Sequence, residues 1–247
     1  MFDHVTIRVF DRAASERFYL ITLGALEIEQ DHSGVGFAEW NDFSLAAAER
    51  PSETTERLHI GFVAPTREHV DKFWRAGVDA GYRGDGPPGP RPQYRDEYYG
   101  AFLLDPDGNS AEAVHHDLLR RGGVIDHLWI RVHDVAAAKA FYEALAPYAG
   151  LHLRRDLPDR AQFAGGAEHR GSFSLVGGAP TRALHMAFGA SSDETVDAFH
   201  DALLRAGYTS NGPPGERTVY HPGYYAAFVL DPDANNIELV NHNRPER

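Results

Sequence analysis

The sequence predicts an α+β fold made of four βαβββ modules, paired into two similar tandem domains with cupped mixed sheets and outer helices. Three observations carry this expectation. Residues 58–116 lie over residues 184–242 without a gap and agree at roughly half of the positions, which marks a tandem duplication. The two halves also open alike, FDHVTIRV at Phe2 to Val9 and IDHLWIRV at Ile125 to Val132, each followed by an Ala-rich stretch ending in Phe-Tyr. Within each half, an alternating strand, a helix-period stretch and short strands broken by Gly- and Pro-rich turns occur twice. A chain of 247 residues suits two domains of about 120. The polar, turn-prone RRGG places the seam near residues 118–123 and divides the chain into 1–119 and 120–247.

In the first strand Val5, Ile7 and Val9 share one face, and His4, Thr6 and Arg8 share the other. The helix that follows puts Phe18, Tyr19 and Leu23 near one stripe, fit to cover the apolar face. Val70, Phe73 and Trp74 serve the second module in the same way, as do Val196, Phe199 and Leu203 the fourth. The strings DPDGN at Asp105 to Asn109 and DPDAN at Asp231 to Asn235 read as tight turns, each delivering a Glu onto the next strand.

Composition narrows the function classes. With 36 acidic and 24 basic side chains the net charge is -12, which repels nucleic acid and anionic lipid in the absence of a local basic patch. Zero cysteines exclude disulfides, thiolate zinc sites, iron–sulfur clusters and cysteine nucleophiles, and leave His, Asp, Glu and backbone for metal chemistry. No GxxxxGK, HExxH or GxSxG string occurs. The opening residues do not read as a signal peptide, and no apolar run approaches the roughly 18 residues of a membrane span, so a cytoplasmic protein with a small-molecule substrate is expected, with no nucleic acid or membrane partner. A homodimer is left open, because four modules can satisfy one another within one chain.

The chemistry-bearing residues stand on equivalent strands: His4, His59 and Glu112 in the first half, His127, His185 and Glu238 in the second. The step from second His to Glu is 53 residues in both, 59 to 112 and 185 to 238. Two imidazoles and one carboxylate on three strands of a curved sheet form a ligand set for Fe(II) or a similar divalent ion (Mn, Ni and Zn are alternatives), with positions left open for substrate. A duplication copies structural residues as faithfully as ligands, so a hydrogen-bonded structural role for these histidines stays open. His221 offers a general acid or base. Arg8 and Arg131, in the register of His4 and His127, offer cations for an anionic substrate group, although an ion pair with a neighbouring acid is the more ordinary account. Tyr94, Tyr98, Tyr99, Tyr220, Tyr224 and Tyr225 offer an aromatic wall or simple packing at a loop and strand junction. His116 and His242, four residues beyond each Glu, read as solvated strand ends.

FDHVTIRV and IDHLWIRV, LHIGF and LHMAF, and above all YYGAFLLDPDGNSAEAV and YYAAFVLDPDANNIELV resemble the vicinal oxygen chelate superfamily, which includes glyoxalase I, bleomycin-resistance proteins and type I extradiol dioxygenases. The resemblance spans nearly the whole chain. It implies paired βαβββ modules, a divalent metal on the cavity floor, and ligand positions at His4, His59, Glu112, His127, His185 and Glu238. Where glyoxalase-type sites take a fourth ligand, the strands read FSLA and FSLV, so a three-ligand, dioxygenase-like set fits better. The extradiol signature is broken: His221 stands at a tolerable spacing, but the Tyr position is Phe228, and the first-half counterparts are Arg95 and Phe102. Tyr224 or Tyr225 would then supply the phenol beside His221, and Phe228 a substrate contact. The competing expectation is a metal-free small-molecule binder of the bleomycin-resistance type.

Overall fold

The computed structural model describes residues 1–166 and 170–243, so that 167–169 and 244–247 of the second repeat lie outside the described residues. Four βαβββ modules follow one another. The first comprises β1 (His4–Val9), α1 (Arg12–Gly24), β2 (His32–Gly34), β3 (Phe37–Trp40) and β4 (Phe43–Ala47). The second comprises β5 (Leu58–Val63), α2 (Arg67–Asp79), β6 (Gly84–Pro90), β7 (Tyr99–Leu104) and β8 (Ser110–His115). The third comprises β9 (Ile125–Val132), α3 (Val135–Ala149), β10 (His152–Leu157), β11 (Arg160–Ala164) and β12 (Ser172–Gly177). The fourth comprises β13 (Leu184–Gly189), α4 (Asp193–Arg205), β14 (Thr209–Glu216), β15 (Tyr225–Leu230) and β16 (Asn236–Asn241). Each helix begins at a side-chain cap, Asp11, Thr66, Asp134 or Ser192, that accepts from an otherwise unpaired backbone N–H.

The modules assemble into two eight-stranded mixed sheets, ordered β14-β15-β16-β13-β1-β4-β3-β2 and β10-β11-β12-β9-β5-β8-β7-β6. Each sheet therefore joins one module from each half of the sequence: the fourth with the first, and the third with the second. The joints are antiparallel pairs, β1 with β13 and β5 with β9. Repeat and sheet do not coincide, and this decides which side chains meet. Both sheets are completed within one chain.

The apolar faces of both sheets and all four helices feed one continuous core. Val5, Ile7 and Val9 are fully buried in the same core as Phe18, Tyr19 and Leu23 of α1, where Tyr19 packs against Phe43 of the neighbouring β4. The backs of the sheets meet through aromatic pairs: Phe43 and Phe62 stand 5.1 Å apart between centroids, Phe173 and Phe188 6.1 Å. The seam is no free linker. Arg120 is buried, pairs with Asp42, and donates to the carbonyls of Phe2 and Ile125 at 3.0 and 2.9 Å. Asp42 also accepts from the Val124 N–H at 2.8 Å, so the turn between β3 and β4 clamps the start of β9. Among the described residues no helix is long and apolar enough to cross a membrane.

The DPD turns are buried clamps as well. Asp105 accepts from the backbone N–H of Asp107 and Asn109 and from the Tyr19 hydroxyl at 3.1 Å, while Asn109 accepts from the Leu58 N–H at 3.1 Å. Asp231, Tyr142 and Asn235 repeat the arrangement. The fourth turn residue adopts left-handed backbone in both copies, Gly108 at φ 85° and Ala234 at φ 65°. Left-handed backbone costs an L-residue roughly 1–2 kcal/mol, and glycine gives back part of that relief as unfolded-state entropy. Ala234→Gly is therefore expected to stabilise the chain by roughly 0.5–1 kcal/mol, read as a higher urea midpoint at unchanged m-value, and Gly108→Ala to destabilise it comparably.

Candidate metal centres

The six predicted ligands form two clusters, and their grouping differs from the one expected by half. His4, His185 and Glu238 form one centre and His59, Glu112 and His127 the other; in each, one ligand atom per residue lies within 4.8 Å of the others. The sets His4/His59/Glu112 and His127/His185/Glu238 are thus corrected to sets drawn from both halves. The reason is the sheet order: β1 lies beside β13 and β5 beside β9, so His4 and His59 stand in different sheets.

Strand register builds each centre. In one sheet His4 pairs with Ala187, and Ala187 with Glu238, placing the three in a row across β1, β13 and β16; His185 stands two residues along β13 on the same face. In the other, His127 pairs with Gly61 and Gly61 with Glu112, with His59 two residues along β5. The middle residue must be small. A Cβ on Gly61 would stand 2.3 Å from the His127 imidazole, so a larger residue there would push the ring off the centre.

The ligand atoms converge tightly. The Nε2 atoms of His4 and His185 are 3.0 Å apart and lie 3.6 and 3.0 Å from Glu238 Oε2. The Nε2 atoms of His59 and His127 are 3.3 Å apart and lie 2.9 and 3.2 Å from Glu112 Oε2. Each ligand is held from behind. His4 Nδ1 donates to Asp3 at 2.9 Å and His127 Nδ1 to Asp126 at 3.0 Å, which fixes the tautomer that turns the Nε2 lone pair inward. His59 Nδ1 meets the Ser110 hydroxyl at 3.1 Å, and the Asn236 side-chain amide lies 2.8 Å from His185 Nδ1. The second carboxylate oxygen of Glu112 accepts from the Tyr98 hydroxyl at 2.8 Å, and that of Glu238 from Tyr224 at 2.6 Å.

Register places a serine at the fourth equivalent position of each centre. Glu112 and Glu238 stand two residues beyond the partners of His59 and His185, and the matching places in the first and third modules are Ser44, paired with Thr6, and Ser174, paired with Trp129. Both serines are buried, and neither brings a charge. Each cluster offers two imidazoles and one carboxylate, a set that could hold a metal ion.

Electrostatics favour a cation. Burial alone would depress the His127 imidazole, yet its hydrogen bonds to Asp126 and Glu112 outweigh that and hold it up at about 10. Burial would raise Glu112, but His127 and His59 hold it down at about 2. Burial likewise works against a charged His4, and Asp3 and Glu238 raise it all the same. Both tyrosine hydroxyls are pushed up by burial and the adjacent carboxylate, and so stay protonated donors.

Phe228 shares a face with Glu238, its register partner, and its ring lies 6.3 Å from that of His185; Phe102 stands equivalently, 5.9 Å from His59. Tyr224 holds Glu238 and, being so hard to ionise, acts on its position rather than as an acid or base near neutrality. Tyr225 faces the other way: its hydroxyl donates to Asp197 on α4 at 2.8 Å, as Tyr99 does to Asp71 on α2 at 2.9 Å. His221 reaches the Glu238 centre only through others, its Nε2 lying 2.9 Å from His242 Nδ1, while His242 Nε2 donates to Asp3 at 2.8 Å. Arg8 and Arg131 keep the register of His4 and His127 but sit four residues, roughly 13 Å, along the strand, and both are exposed. They do not join the clusters. The residues missed are Asp3, Asp126, His116 and His242. His116 is no solvated strand end, since it packs against Asp126 at 3.2 Å. The signal lay in the Asp-His pair that opens both repeats.

The whole chain now stands beside known proteins. It belongs to the glyoxalase/bleomycin resistance protein/dioxygenase superfamily, whose model matches residues 1–113 and 124–239. Among solved structures, glyoxalase I from Zea mays is 19% identical with a TM-score of 0.70, over 98% of this chain and 92% of that one. A protein described as a dioxygenase by similarity, from Bacillus subtilis subsp. subtilis str. 168, is 13% identical with a TM-score of 0.67, over 98% and 85%. A glyoxalase/bleomycin resistance protein from Albidiferax ferrireducens T118 is 31% identical over 47% of this chain and 99% of that one, with a TM-score of 0.43. The two full-length likenesses are likenesses of fold. No curated protein matches the sequence.

A proton and a metal ion compete for His127. Below its raised value an incoming ion must displace that proton, so affinity at the Glu112 centre is expected to climb about tenfold per pH unit through neutrality instead of levelling near 6.5. Zinc titrations at pH 7 and 8, in buffers of different ionisation heat, should register one proton released per ion there. The outer partners matter too: Asp126→Asn and Tyr98→Phe should each weaken zinc binding at that centre by roughly 10–100-fold, read by competition with a chromophoric chelator.

Proposed function

We propose that the protein is a metalloenzyme that holds a divalent ion, with Fe(II) favoured, at each of its two 2-His-1-carboxylate centres and acts on a small cytoplasmic substrate presenting two adjacent oxygens. The observation that carries this reading is the convergence, in each cluster, of two imidazole Nε2 atoms and one carboxylate oxygen, each side chain fixed from behind by Asp, Ser, Asn or Tyr partners. When bound, the ion supplies a Lewis acid that grips both oxygens and stabilises the negative charge developing on them.

The chain's own residues supply the rest. Asp3 and Asp126 hold the imidazoles in the binding tautomer, and Tyr224 and Tyr98 keep one oxygen of each Glu turned inward. Phe228 and Phe102 wall the approach, each with an arginine guanidinium over it, Arg217 at 5.7 Å and Arg91 at 5.4 Å from the ring centroid. The buried Ser44, whose hydroxyl is hydrogen-bonded to that of Thr6 at 2.7 Å, and the buried Ser174 add no charge beside the clusters. A three-ligand set would suit ring-cleaving dioxygenase chemistry better than four-ligand isomerase chemistry. His221 stands behind His4 through Asp3 and His242, so its contribution is to the orientation and charge of that ligand.

The test is metal content after loading and desalting, followed by oxygen uptake with catechol on the Fe(II)-loaded chain. Two ions per chain are expected, falling to one in His185→Ala/Glu238→Ala and to one in His59→Ala/Glu112→Ala. A wild-type chain that retains no ion while binding small aromatics would turn the reading to a metal-free binder. Retained metal without oxygen uptake would move it to lyase or isomerase chemistry.

A further inference from the structure

The two centres share ligands but not walls. At equivalent positions the open faces differ by strand register. Two residues beyond the β1 or β9 histidine stand Thr6 in one centre and Trp129 in the other. Opposite the buried serine stand Glu39, paired with Ser44, and Gln162, paired with Ser174. One step further out stand Phe37, paired with Ala46, and Arg160, paired with Val176. The duplication copied the metal ligands and let these three pairs diverge together.

The result is an inversion of charge and shape. The Glu238 centre carries a carboxylate and a small hydroxyl, Glu39 and Thr6, where the Glu112 centre carries an amide and an indole. The Trp129 ring lies 6.0 Å from His59 and meets Tyr94 edge-on at 5.8 Å. The Arg160 guanidinium lies 4.7 Å over the Trp129 ring, and among the described residues no carboxylate pairs with it within 4.0 Å. With Arg160 over one of its faces, the Trp129 indole walls the side of the centre next to His59 against a planar ligand, and the guanidinium it supports, which has no carboxylate partner among the described residues, is placed to take that ligand's anionic group. The Glu39 carboxylate repels the same group at the other centre.

We infer that the two centres have different substrate classes: the Glu112 centre selects planar aromatic anions with two adjacent oxygens, with Trp129 and Arg160 as its specificity-determining residues, and the Glu238 centre rejects them. This rests on the metal reading above, since the ion anchors the oxygens that the walls then discriminate.

The probe is 2,3-dihydroxybenzoate titrated calorimetrically into the zinc-loaded full chain, with zinc content measured in every sample. One probe molecule per chain is expected. His185→Ala/Glu238→Ala should leave binding intact, and His59→Ala/Glu112→Ala should abolish it. Trp129→Thr and Arg160→Phe, which install the residues of the other centre, should each weaken the probe at least tenfold with zinc content unchanged. Catechol, which lacks the carboxylate, should lose affinity in Trp129→Thr and not in Arg160→Phe. Should the Trp129 variant fail to fold, Arg160→Phe alone carries the test through the comparison of the two probes. Two equal probe sites per chain, or undiminished binding in zinc-replete Arg160→Phe, would overturn the inference. Absence of zinc from the wild-type chain would instead overturn the metal reading.

Discussion

The antiparallel pairing of β1 with β13, and of β5 with β9, is the constraint on which the rest depends. It places a histidine from one half of the sequence beside a histidine and a glutamate from the other. Neither half carries a complete set on its own sheet. Main-chain hydrogen bonds across the joint, with side chains alternating between faces, fix both the spacing of the ligands and the face on which they emerge. A slip of one residue at either joint would send His4 or His127 into the core, so the apolar alternation that drives folding also sets the geometry of the centres.

Behind that register lies a layer of polar support that would be costly without a cation. Asp3, Asp126, Glu112 and Glu238 bring negative charge into a partly or wholly buried space, and only imidazoles, phenols and a positive ion offset it. In the metal-free chain a proton raised on His127 serves in that role. The electrostatics that hold a proton on His127 would equally favour a divalent ion. The buried Arg120 and Asp42 pair ties this arrangement to the seam, because the segment it clamps runs directly into β9 and His127.

Much of this was legible in the sequence, and what escaped has physical causes. The modules and the six ligand positions followed from the repeat and from period-two alternation, as with Val5, Ile7 and Val9 against His4. The grouping of ligands did not follow, because the connections between modules allow the first to pair with the second or with the fourth. Adjacent tyrosines were read as one cluster, although alternation puts Tyr224 on the face of Phe228 and Glu238 and Tyr225 on the face toward α4. Glycine at position 61 carries no signal in the sequence, because its need arises only from the His127 ring lying over it in the neighbouring strand. His116 and His242 looked solvated because their partners, Asp126 and Asp3, come from strand starts distant in sequence.

The central claim is that each centre is shared between halves, and counting metal in two paired variants addresses it most directly. His4→Ala/Glu238→Ala removes two ligands from one centre and none from the other, so one ion per chain should remain. His4→Ala/His59→Ala takes a ligand from both, so tight binding should fall below one ion per chain. The reverse result, with the first variant losing both ions and the second retaining one, would contradict the account, because it is what two self-contained halves would give.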